Sequence, residues 1–74
     1  MDDLSERRIA DQYSHALFEF LDAYQHGGAS QEHRTAVTRA FERAKAAQLS
    51  DMLYRSAIDR ALVRAKIIPE ESKT

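Results

Sequence analysis

Cysteine is absent from this 74-residue chain, which excludes a disulfide brace and any thiolate site for metal or redox chemistry. One proline, Pro69, and one pair of glycines, Gly27 and Gly28, are the only strong breaks. No apolar run approaches the roughly 20 residues that span a bilayer. No segment keeps up the strict apolar–polar alternation of a half-buried strand. A chain of this length forms one domain. A domain this small buries only about 60% of its unfolded surface, and its core rarely supplies more than roughly 3–5 kcal/mol. Without disulfides, the remaining supports are tight helix packing and self-association, so a homodimer is a candidate form. Hydrophobic residues at 43% against 31% charged suit a folded soluble protein rather than a disordered one. The N-terminal MDDLSERR is acidic, then basic, with no hydrophobic signal core behind it. A cytoplasmic location and no membrane partner are therefore expected.

The net charge of -1 conceals a strong asymmetry. Residues 1–33 carry seven acids and two bases, and residues 34–66 carry eight bases and three acids. The first reading is an acidic helix packed beside basic ones. The second is a basic surface for an acidic partner.

The apolar period is helical throughout. A first helix is expected over residues 5–26, with Ile9, Tyr13, Leu17, Phe20, Leu21 and Tyr24 on one face. Gly27 suits the left-handed residue that ends it. A second helix is expected over residues 31–48, capped by the Ser30 hydroxyl and started by Glu32. Its narrow stripe of Ala36, Val37, Ala40, Phe41, Ala44 and Ala47 suggests close approach to a neighbour. Continuing that helix through LSDMLYRS would bury Asp51 and Arg55, at several kcal/mol each unless paired. A break near Leu49–Ser50 removes the conflict, and Ser50 or Asp51 then caps a third helix over residues 51–66. The alternative is one long helix through residue 66. The expected fold is all-α, a small three-helix bundle over residues 1–68, with a disordered polar tail at 69–74. Tyr13, Phe20, Tyr24 and Phe41 are its expected large core residues.

Chemistry finds little support. QHGGASQEH is a helix-ending turn, lacking both the Walker lysine and the strand that precedes a dinucleotide loop. Asp11, His15, Glu19 and Asp22 form a ladder along helix 1, but Glu42, Asp51 and Asp59 on helices 2 and 3 have no His at ligand spacing to complete a metal site. No nucleophile elbow or H-E-x-x-H motif is present. An enzyme, a cofactor and a small-molecule substrate are therefore not expected.

Binding remains. The stretch AKAAQLSDMLYRSAIDRAL loosely resembles the helix-turn-helix family. It has a small residue at Ala44, a turn at Gln48 and an apolar corner residue at Leu49. A recognition helix would begin near Ser50–Asp51. The stretch departs from the pattern at Arg43, where the family has an apolar residue, and at Gln48, where it often has glycine. The resemblance implies a dimeric DNA-binding regulator. Arg39, Arg43, Arg55, Arg60 and Arg64 are candidate contacts to nucleic acid or an acidic partner. Against it, the bases encircle helix 3 among Asp51 and Asp59, with local pairing of Arg55 with Asp59 expected instead.

The other class is a protein partner. Phe18 points about 130° from the centre of the helix 1 core face, bordered by Asp11, Asp22 and Gln25. An aromatic residue with a polar rim is the anatomy of a binding hot spot. The bland alternative packs Phe18 on the Ile67–Ile68 segment or on a second copy. The expectation is a small regulator or inhibitor that binds and occludes a protein partner, a size class shared by phage and plasmid accessory factors.

Overall fold

The computed structural model describes residues 3–68, with side chains from residue 5 onward. It contains three helices: α1 (Asp3–Gln25), α2 (Gln31–Ala46) and α3 (Asp51–Arg64). The break between α2 and α3 lies where the charges of Asp51 and Arg55 require it, and no single rod runs through the region. The expected tail at 69–74 lies outside the described residues.

Each start has a specific cause. The Ser30 hydroxyl accepts a bond from the His33 N–H at 3.3 Å, and the His33 ring returns one by accepting the Ser30 N–H at 3.3 Å. Ser50 caps α3 in the same way, accepting from the Leu53 N–H at 3.3 Å. Each satisfies a donor that the first helical turn leaves free.

The ends of α2 and α3 come two residues before those expected at 48 and 66. Both helices close by the same device. The Gln48 N–H bonds the Lys45 carbonyl at 3.0 Å and the Leu49 N–H bonds that of Ala44 at 3.3 Å. At the end of α3, Lys66 N–H bonds Val63 at 2.9 Å and Ile67 N–H bonds Leu62 at 2.9 Å. This paired closure needs a left-handed residue, and Gln48 (φ 58°) and Lys66 (φ 63°) both adopt that conformation without being glycine. α1 ends on Gly27, with the Gly28 N–H on the Ala23 carbonyl at 2.8 Å.

α1 packs against both other helices, whereas the backbones of α2 and α3 scarcely approach each other. α2 returns antiparallel to α1, tied by Arg43 Nη1 donating to Gln12 Oε1 at 3.0 Å. α3 runs in the direction of α1. Arg60 meets Asp11 near one end, and Gln25 Nε2 donates to the Ala65 carbonyl at 2.9 Å near the other. The acidic helix thus lies beside the two basic ones. The molecule measures 39 × 36 × 15 Å, a plate two helix layers thick.

The buried residues are mostly small: Ala10, Ser14, Ala44, Ala57, Ala61 and Ala65, with Tyr13 and Leu49. Alanine permits close helix contact but contributes little transfer energy, about 0.8 kcal/mol per buried carbon. No large side chain among the described residues is fully buried. The expected aromatic core is therefore corrected. Tyr13 is buried, but Phe41 is 40% exposed and Tyr24 69% exposed, with half-buried Phe20 stacked on Tyr24 at 6.4 Å. Because α2 and α3 diverge over α1, these rings keep one side exposed.

Candidate protein-binding surfaces

The seam between α1 and α3 follows from spacing. Ala57, Ala61 and Ala65 recur every four residues, so one stripe of α3 presses onto α1 and draws the flanking arginines across it. On α1 the facing residues are Asp11, Phe18 and Gln25, seven apart and hence on one side of the helix. Arg60 Nη1 meets Asp11 Oδ1 at 2.8 Å, with both side chains about half exposed. The Arg64 guanidinium lies 4.3 Å above the centre of the Phe18 ring. Such contacts contribute little on a wet surface, about 0.5–1 kcal/mol for the cation over the ring and about 0–1 for the ion pair.

Phe18, read from helical phase as turned away from the core, is in fact half-buried against α3 beneath Arg64. It forms part of a cleft of about 300 Å³ together with Asp22, Gln25, His26 and Lys66. His26 Nδ1 lies 2.8 Å from the Asp22 carbonyl and 3.3 Å from its carboxylate, which fixes one wall. Of the four residues expected to bind protein, Phe18, Asp22 and Gln25 share this cleft. Asp11 lines a neighbouring one with Arg7 and Arg60. His15 and Glu19 pair at 3.1 Å on the exposed side of α1.

The candidate nucleic-acid set is not assembled into one face. Arg60 and Arg64 turn back onto α1, and Arg43 is engaged with Gln12. Arg39 and Arg55 stay exposed, as do Asp51 and Asp59. The expected local pair of Arg55 with Asp59 is not among the ion pairs of the described residues. Arg60 reaches across the seam instead, because it sits on the edge of α3 nearest α1. At the corner between α2 and α3, Ala44 and Leu49 are buried, and Gln48 takes the left-handed turn. Among the described residues, no three His, Asp or Glu side chains converge as a metal site, and no helix is long and apolar enough to cross a membrane.

Sequence reasoning missed a second surface. Tyr13, Phe41 and Tyr54, one from each helix, form a near-equilateral triangle with ring centres 6.0, 6.1 and 6.1 Å apart. Together with Ile58 they line an open concavity of about 360 Å³, rimmed by Lys45, Asp51 and Arg55. The Lys45 ammonium stands 5.6 Å from the Phe41 ring centre. Burial, and secondarily the neighbouring Tyr54, raises the Tyr13 phenol above its ordinary pKa. Each ring was legible as apolar-face, but its exposure depends on how far α2 and α3 diverge, which periodicity does not encode.

Compared with protein-family models, curated proteins and solved structures, the chain matches none of the three.

Proposed function

We propose that this chain is a small non-enzymatic regulatory or inhibitory protein that binds a protein partner and occludes a functional surface on it. The observation that carries this reading is the Phe18 cleft, where an aromatic ring under an arginine is enclosed by Asp22, Gln25, His26 and Lys66. Aromatic and arginine side chains in a pocket with a polar surround dominate interface energies. The exposed acids of α1 beside it steer the chain toward a basic partner surface, raising the association rate more than the affinity. The acting form is a homodimer, which presents two such clefts.

Capture from a nuclease-treated lysate of the source cells, with wild type and Phe18→Ala in parallel, tests this. The variant is expected to keep its helicity and to retain the partner about tenfold less tightly, the 1.4 kcal/mol of a modest hot spot. Equal retention by both proteins refutes the reading.

A second reading, a helix-turn-helix-type DNA-binding regulator, draws on the corner of Ala44, Gln48 and Leu49. It is weaker because two of the three α3 arginines are turned onto α1 and two exposed aspartates accompany the third. It requires binding to random duplex DNA at low salt that falls steeply as salt rises. No retardation at micromolar protein excludes it.

A further inference from the structure

We propose that the aromatic groove between α2 and α3 is closed by a second copy of this chain, groove against groove about a two-fold axis. The proposal rests on the dimeric form above and places its interface.

Three observations lead to a second copy. The first is shape. The plate is only two helix layers thick, and α2 and α3 leave the Tyr13–Phe41–Tyr54 concavity open between them.

The second is continuity. Ile58 and Leu62 lie about 100° around α3 from the buried Ala57 and Ala61, on the side toward α2. Leu17 and Leu21 lie on α1 between its two seams. All four are half-buried. They extend the apolar floor beyond the Tyr13–Phe41–Tyr54 triangle, where Phe41 keeps 40% of its surface exposed.

The third is charge. In a two-fold interface, if residue i meets residue j, then j meets i, so the rim must complement itself. The α3 rim carries Asp51 and Arg55 one turn apart. Across a two-fold axis they form two reciprocal Asp51–Arg55 pairs between the copies. A purely acidic partner helix would be opposed by Asp51, and a purely basic one by Arg55 and Lys45. The Phe18 cleft lies on the α1–α3 seam and shares no lining residue with the groove. It therefore stays free for the protein partner, twice per dimer.

Sedimentation equilibrium of the intact chain at tens of micromolar tests the proposal. The expected mass is twice that of one chain. Phe41→Glu, which places a charge in the groove at a position already 40% exposed, is expected to give a helical monomer. Asp51→Arg is expected to weaken association about tenfold through like-charge juxtaposition, and adding Arg55→Asp is expected to restore it. Restoration separates a contact between copies from a loss of fold. A wild-type monomer overturns both this placement and the dimeric form. A dimer indifferent to Phe41→Glu and to the charge reversal overturns the placement alone.

Discussion

Gln48 stands where the backbone favours glycine. Its φ of 58° completes the closure of α2 and turns Leu49 into the corner. A non-glycine residue there costs about 1–2 kcal/mol. Glycine would remove that cost but lose more freedom on folding, about 0.5–1 kcal/mol. Gln48→Gly is therefore expected to stabilise the fold by about 0.5–1 kcal/mol and raise the melting temperature by a few degrees, measured by thermal circular dichroism. The turn itself was legible in the sequence, because continuing α2 would place the charges of Asp51 and Arg55 in its apolar stripe. Tyr13 gives a second prediction. Burial raises its pKa above the ordinary 10.0, so the phenol is neutral in both states below that pH and its contribution is complete. Above it the unfolded chain ionises first, and stability falls as pH rises until the folded phenol ionises too. Urea midpoints at pH about 9 and about 11 are expected to drop more for wild type than for Tyr13→Phe. Equal drops would show that the buried phenol does not drive the loss.

At the level of helices, the starts of α2 and α3 and the end of α1 were legible, and the other two ends less so. Ser30, Ser50 and Gly27 announce themselves by chemistry, whereas the ends at Ala46 and Arg64 depend on Gln48 and Lys66 entering a conformation their side chains do not advertise. Which face of α1 each neighbour takes was also hidden. One apolar arc was read as one core, yet α1 has two seams. The seam with α3 runs down Asp11, Phe18 and Gln25, which brought Phe18 in, while the divergence of α2 and α3 left Tyr24 out. The alanine stripe of α3 makes its own prediction. Ala61 is fully buried against its neighbours, so Ala61→Leu overpacks the seam and is expected to cost about 1–3 kcal/mol. Ala36→Leu, at an exposed position of α2, is expected to change stability by less than about 0.5 kcal/mol. Urea denaturation compares the two, and equal effects would mean that the α1–α3 contact is not close-packed.

For the molecule as a whole, composition foretold a shortage of core, and the structure gives that shortage a shape. Among the described residues, eight are buried, six of them alanine or serine, and they hold a plate whose larger apolar side chains stay mostly part-exposed. With a second copy on the open side, as proposed, unfolding also separates the copies, and stability depends on concentration. Raising the protein from about 2 µM to about 200 µM then adds roughly 2.7 kcal/mol per dimer, about half of it per chain. At this size that is a rise of roughly 5–10 °C in the melting temperature. A monomer melts at the same temperature at both concentrations. Phe41→Glu is expected to behave in that way and to melt at or below the dilute wild type, because it loses the association while keeping the alanine seams that hold α1 to its neighbours.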